Sequence, residues 1–241
     1  CDQNQLTALD VSNNTALTSL QCNSQDGSLS ELDVSANTAL TYLSCSSNQL
    51  TSLELSNNIA LRILYCSGNV LATLNVSNNT ALETLSIGSN QLDALDVSSN
   101  TALTYIYCGY NNIETLDVSN NTALTNLSCA WNNFTILDVS VNTGLTRFLC
   151  GGNELTVLDV SNNTLLENFR CDNNLLTTLD ISNNPSLETF YCNDNQFTSL
   201  DVSIHSALEK FRCYNNLLTS LDVRANTALT ELNCSSNQLT Y

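Results

Sequence analysis

Eleven cysteines, one histidine and a row of aspartates are the groups in this sequence whose types and spacing could do chemistry. Thiolates bind zinc, form disulfides or act as nucleophiles, so the placing of Cys1, Cys22, Cys45, Cys66, Cys108, Cys129, Cys150, Cys171, Cys192, Cys213 and Cys234 matters first. From Cys45 onward they recur every 21 residues, and Ile87 takes the slot in the one copy without a thiol. An apolar stand-in means that size and hydrophobicity are what the slot needs. Zinc requires ligands that converge from different directions. Side chains repeated at one slot instead point the same way, and parallel Cβ vectors suit a disulfide poorly. The thiols are therefore expected to be reduced, buried packing groups. His205 stands alone, with no Ser/His/Asp or Cys/His grouping around it, so acid–base and nucleophilic catalysis lack material. The aspartates recur as Asp10, Asp33, Asp96, Asp117, Asp138, Asp159, Asp180, Asp201 and Asp222, with Glu54 and Asn75 in two copies. They lack the Gly-x-Gly-x-Asp turn of repeat-borne calcium sites, which leaves solvation, side-chain bonding to the neighbouring coil and edge repulsion as their uses. No catalytic residue, metal site or cofactor is expected, and the chain is not expected to be an enzyme.

Composition narrows the partners. Twenty-three acidic side chains against 6 basic ones give a net charge of −17, which argues against nucleic acid, whose binding rests on Lys and Arg contacts to phosphate. Apolar residues make up 42% of the chain but never approach the roughly 20-residue run that crosses a bilayer, so no membrane span is expected.

What positions these groups is a repeat. The unit L-T-x-L-D-V-S-N-N-T-A-L-T-x-L-x-C-x-x-N-Q starts at Leu29 and again at Leu50, Leu71, Leu92, Ile113, Phe134, Leu155, Leu176, Phe197 and Leu218. An earlier copy starts at Leu6, 23 residues before Leu29, which places a two-residue loop insertion at residues 25–28, around Asp26-Gly27. Both halves of the unit follow L-x-x-L-x-(V or C)-x-x-N, as in Leu29-Leu32-Val34-Asn37 and Leu40-Leu43-Cys45-Asn48. The L-x-V and L-x-C trios alternate in and out, the period of a short strand, and no stretch carries helical spacing. The asparagines close the turns by bonding to backbone groups that the bends leave unpaired. Gln25 and His205 replace ladder asparagines as hydrogen-bonding substitutes. The expected fold is mainly β: a solenoid of about eleven 21-residue coils, with parallel short strands on two sides and little or no helix, forming a single array over residues 1–241. Cys1 begins in mid-coil and Tyr241 follows just after Leu239 opens another, so the parent protein is expected to be longer, and end-to-end self-association is possible.

The segment Leu40-Thr41-Tyr42-Leu43-Ser44-Cys45-Ser46-Ser47-Asn48-Gln49-Leu50 resembles the leucine-rich repeat hallmark L-x-x-L-x-L-x-x-N-x-L over essentially the whole chain. Nested half-repeats with Cys in the third apolar slot are most similar to the bacterial 21-residue IRREKO-type subclass. The resemblance implies a recognition scaffold on a bacterial cell surface or in the extracellular medium.

The variable columns then say where recognition falls. Outward slots around the L-x-C trio collect Tyr42, Tyr65, Tyr105, Tyr107, Tyr110, Trp131, Arg147, Arg170, Tyr191, Lys210, Arg212 and Tyr214, whereas the L-D-V side hardly changes. Five of the six cations, seven of the eight tyrosines and the only tryptophan lie on this half. Tyr, Trp and Arg are the types enriched at binding hot spots. The expected function is a non-enzymatic protein-recognition or adhesion module that binds a host or cell-surface protein by this sheet. A structural spacer or self-associating array is the alternative, with ice or glycan binding by the threonine columns less favoured. Inside, Phe148, Phe169, Phe190 and Phe211 take one inward slot in four successive coils and are expected to stack.

Overall fold

The computed structural model describes residues 1–25 and 29–240. The insertion read at residues 25–28 lies outside them, apart from Gln25. The chain divides into two compact units, Cys1–Ala123 and Leu124–Tyr241.

The first unit carries β1 (Ser19–Gln21), β2 (Tyr42–Ser44), β3 (Ile63–Tyr65), β4 (Thr84–Ser86) and β5 (Tyr105–Tyr107). They pair in parallel, with Leu20 opposite Leu43, Leu43 opposite Leu64, Leu64 opposite Leu85 and Leu85 opposite Ile106. The step from Leu20 to Leu43 is two residues longer than the others, yet the in-and-out phase is kept, with Ser19 opposite Tyr42 and Gln21 opposite Ser44. The second unit carries β6 (Asn126–Ser128), β7 (Arg147–Leu149), β8 (Asn168–Arg170), β9 (Thr189–Tyr191), β10 (Lys210–Arg212) and β11 (Glu231–Asn233), also parallel and in register. No helix occurs among the described residues.

The interior of each unit is made of columns. Leu40, Leu43, Cys45 and Leu50 in one coil, and Leu166, Phe169, Cys171 and Leu176 in another, are wholly buried. Each such leucine contributes roughly 1.5–3 kcal/mol relative to exposure. Phe148, Phe169, Phe190 and Phe211 stack as expected, with centroids 5.7, 5.7 and 5.6 Å apart and planes within 8°, 17° and 8°. A centroid spacing wider than the roughly 4.8 Å between strands makes the stack offset, the arrangement that the ring quadrupole favours. The cysteines are free thiols, buried from Cys22 to Cys213, with Cys1 exposed and Cys234 partly so.

Among the described residues strands form on one side of each coil only, whereas alternation in both halves predicts two ladders. Side chains on the L-D-V side have taken the bonds that a ladder would need. Asn58 Nδ2 donates to the carbonyls of Val34 and Asn37 one coil back, both at 3.0 Å, and Asn79 repeats this on Leu55 and Asn58. The aspartate accepts the amide two residues on, as Asp33 Oδ1 does from Ser35 N at 2.8 Å and Asp159 Oδ1 from Ser161 N at 2.8 Å. Glu54 and Asn75 make the same bond where they replace it. The other asparagine column works on the strand side: Asn69 Nδ2 donates to the Cys45 and Cys66 carbonyls while its Oδ1 accepts from Leu50 N. Gln25 Nε2 bonds the Cys1 and Asn23 carbonyls in the asparagine manner. His205 presents Nε2 to the Ile181 carbonyl at 3.1 Å, so that nitrogen carries the proton.

Candidate binding surface

After each cysteine the chain bends back toward the other half of the coil, and two residues on it adopts a left-handed conformation. Ser47, Gly68 and Ser89 do so in the first unit, and Gly152, Asn173, Asp194 and Asn215 in the second. Small or locally hydrogen-bonding residues suit that backbone. Tyr110 (φ 57°) and Trp131 (φ 59°) do not, and each holds a large ring there. Bulky residues at positive φ are outliers that gather at functional sites. Tyr110 is 54% exposed and Trp131 47%.

In the first unit Tyr42 and Tyr65, on adjacent strands, meet edge to face at 6.0 Å and 62°. Tyr105 and Tyr107 project from β5, half-buried. The Tyr107 ring lies on Gly88, where a Cβ would fall 2.1 Å from its Cε1, and burial pushes its phenol pKa up. Arg62, in the coil of Tyr65, is taken by Glu83 at 2.5 Å.

In the second unit the Trp131 ring lies on Gly152, where a Cβ would fall 2.5 Å from Cδ2. Arg170 and Arg212 place their guanidinium carbons 4.5 and 4.3 Å from the centroid of Tyr191, from the strands on either side of it. Tyr191 is only 8% exposed, so its part in the surface is to hold two cations in place. Arg212 is also paired with Glu231 at 2.5 Å, and that carboxylate holds its pKa up. Among the described residues Arg147, Arg170 and Lys210 form no ion pair, and Tyr214 is half-buried beside them. Sequence reasoning missed Gly88 and Gly152 as seats for rings, Glu231 as the partner of Arg212, and the aspartates as caps on their own turns. The glycines did carry a signal, since each lies 19 or 21 residues from the ring that it accommodates.

Elsewhere the chemistry is muted. Burial pushes the Cys66 and Cys108 thiols up to about 12. Among the described residues no group of three or more His, Cys, Asp or Glu side chains is placed to hold a metal ion. Among the described residues no helix is long and apolar enough to cross a membrane.

The fold and its cysteine column have a close counterpart. The functional domain of InlJ from Listeria monocytogenes, described as including a cysteine ladder, superposes with a TM-score of 0.94 at 38% identity, over 99% of this chain and 52% of that one. The fold is that of a leucine-rich repeat solenoid. An internalin, InlF, from Listeria monocytogenes shares the fold at 23% identity and a TM-score of 0.70, over 95% of this chain and 84% of that one. YopM, a leucine-rich effector protein from Yersinia pestis, does so at 23% identity and 0.71, over 91% and 64%. This leucine-rich repeat chain spans about half the length of the InlJ domain that it matches. A family model described as the LVIVD repeat matches residues 150–173, about one coil. No curated protein matches the sequence.

Proposed function

We propose that residues 1–241 act as one recognition array of a bacterial surface or secreted protein, without enzymatic activity, and that they grip a protein partner by the aromatic-rich side of the coils. The observation that carries this reading is Tyr110 and Trp131, large, exposed rings in a backbone slot that otherwise takes Gly, Ser, Asn, Asp or Gln. Holding an L-residue there costs about 1–2 kcal/mol, and a bulky ring lacks the short polar side chain with which Asn, Asp or Ser can offset it by bonding locally. Around them lie the residue types that dominate binding energy: Tyr42, Tyr65, Tyr105 and Tyr107 in the first unit, and Arg147, Arg170, Lys210, Arg212 and Tyr214 in the second. The unpaired cations Arg147, Arg170 and Lys210 suit carboxylates of the partner and hasten encounter more than they hold the complex.

The test is binding of candidate host-surface proteins by the wild-type chain, by a Tyr110→Ser/Trp131→Asn variant and by Asp138→Ala. The two aromatic replacements already occur in the same slot of other coils, as Ser47 and Asn173, so the backbone is kept. Loss of about 2 kcal/mol or more in the aromatic variant, with little change in Asp138→Ala, is expected. Full-strength binding by the aromatic variant would refute the surface. A second reading, self-association, draws on Ile136 and Val157, which are 79% and 75% exposed on the L-D-V side. Concentration-dependent light scattering that Ile136→Ser abolishes would favour it.

A further inference from the structure

Gly151 and Gly152 are adjacent in one coil, and each is covered by a side chain from a different neighbouring coil. A Cβ at Gly152 would strike the Trp131 indole, at 2.5 Å from Cδ2 and 2.7 Å from Cε3. A Cβ at Gly151 would strike Asp172, at 2.9 Å from its Oδ1 and 2.9 Å from its carbonyl oxygen. The ring reaches forward from the coil before, and the carboxylate leans back from the coil after, so the two are brought over neighbouring residues. Consecutive Cα atoms are about 3.8 Å apart. The backbone beneath is pinned on both sides, with Trp131 N–H donating to the Gly151 carbonyl at 2.8 Å and Gly152 N–H to the Asp172 carbonyl at 2.9 Å. Asp172 Oδ2 accepts from Asn173 Nδ2 at 3.2 Å, which steadies the carboxylate without neutralising it. The nearest cation along its own coil, Arg170, is drawn the other way onto Tyr191, and the two form no ion pair.

We propose that Trp131 and Asp172, seated on Gly151-Gly152, form a receptor for one arginine side chain of a protein partner. The guanidinium plane stacks on the indole and its edge donates to the carboxylate. A flat cation with a fork of donors meets both demands at once, whereas the compact ammonium of lysine meets them one at a time. The charge is complementary, because an anionic group on a chain of net charge −17 attracts a cation from a distance. The inference rests on the protein-recognition reading above and names the partner's chemistry at one point of that surface.

Trp131 is the only tryptophan, so its fluorescence reports on this place alone. The experiment titrates the full chain with N-acetyl-arginine methylamide, with the neutral, nearly isosteric citrulline derivative, and with methyl glucoside. The arginine probe is expected to give a saturable change in the millimolar range, on the order of tenfold tighter than citrulline, with no response to the sugar. Asp172→Asn should remove the preference for arginine over citrulline. Gly152→Ser, which puts at this position the serine that Ser47 and Ser89 carry in the same backbone, should lift the ring from its seat and weaken the response. Equal responses to arginine and citrulline, a preference that survives Asp172→Asn, or a response to the sugar alone would each overturn the proposal. Loss of partner binding in Trp131→Asn without any arginine response would sink this inference and leave the recognition reading standing. An arginine response with partner binding untouched by that variant would also overturn the inference, because the partner would then place no arginine on this seat.

Discussion

Phe169→Ala tests the inward assignment where the structure makes the largest demand on it. Phe169 is wholly buried between Phe148 and Phe190, 5.7 Å from each, with planes 8° and 17° from parallel. Truncating a buried phenylalanine costs about 3–5 kcal/mol through lost transfer energy and an unfilled cavity. Two aromatic contacts, each worth about 0.5–1.5 kcal/mol beyond area, place the expected loss at the upper end of that range. The rings on either side are held by their own coils and cannot close the gap, because parallel pairing fixes Phe148, Phe169 and Phe190 in register. Thr198→Ala, an exposed change two coils away, should shift stability by under about 0.5 kcal/mol. Urea denaturation of both variants against wild type decides the matter. In an array stabilised by neighbour contacts, the phenylalanine variant should also broaden or split the transition, since a weakened coil uncouples its flanks. Equal midpoints for the two variants would refute the inward and outward assignment on which the fold argument rests.

Further expectations concern the polar columns and the thiols. Asn163 Nδ2 donates to the Val139 and Asn142 carbonyls, both at 3.0 Å, as a second donor beside the Asn142 and Leu145 amides, so Asn163→Ala removes two buried hydrogen bonds and should cost about 1–3 kcal/mol in urea. Asn163→His should cost less, since His205 already fills that slot. Ellman's reagent at pH 8 should label Cys1 and Cys234 readily and the buried thiols only in denaturant. With the folded thiols of Cys66 and Cys108 pushed up from 9.0 to about 12, their contribution is whole below about pH 9 and is lost as the pH rises toward 12; a stability that stays flat across that window would contradict their burial. The Ser161 amide and hydroxyl hold Asp159 below its ordinary 3.8, so its contribution is present above that pH and is lost as pH falls through the lowered value. Asp159→Asn should keep the cap, as Asn75 does at 3.0 Å from Ser77 N, and remove only this residue's share of the pH dependence, whereas Asp159→Ala should lose both in pH-resolved thermal melts.

The period and the buried columns were legible in the sequence because each slot is sampled about eleven times in one chain, and a substitution such as Ile87 for Cys or Gln25 for Asn then reports what the slot requires. The number of ladders was not. Alternation says which side chains turn inward, but Val34 and Asp33 alternate just as Leu43 and Ser44 do, and nothing in that pattern says that the Val34 carbonyl is met by the side chain of Asn58. On the variable side, residue types pointed to Tyr107 and Trp131, while their seats on Gly88 and Gly152 depend on which way each ring folds. The fate of Tyr191 was hidden for the same reason. Its chemistry reads as a contact residue, but Arg170 and Arg212 close over it once parallel register sets them on either side.

The left-handed slot after each cysteine connects the structural and the functional readings, and it can be tested apart from any partner. Its backbone is imposed by the coil, since Ser47 N–H donates to the Ser67 carbonyl at 2.8 Å and Asn48 N–H to the Gly68 carbonyl at 3.1 Å. Any occupant must accept φ near 56° there. Ser47→Gly should therefore leave stability unchanged or raise it slightly, because the folded conformation is relieved while the unfolded chain gains freedom. Ser47→Val, a β-branched residue in the same conformation, should cost about 1–2 kcal/mol. The same valine at the exposed Thr198 should cost almost nothing. If Ser47→Val proves neutral in urea, the slot imposes no strain, and the argument that Tyr110 and Trp131 are kept for binding loses its physical basis. If it carries the expected penalty, each large ring in that column stands at a place where folding alone would have chosen a smaller residue.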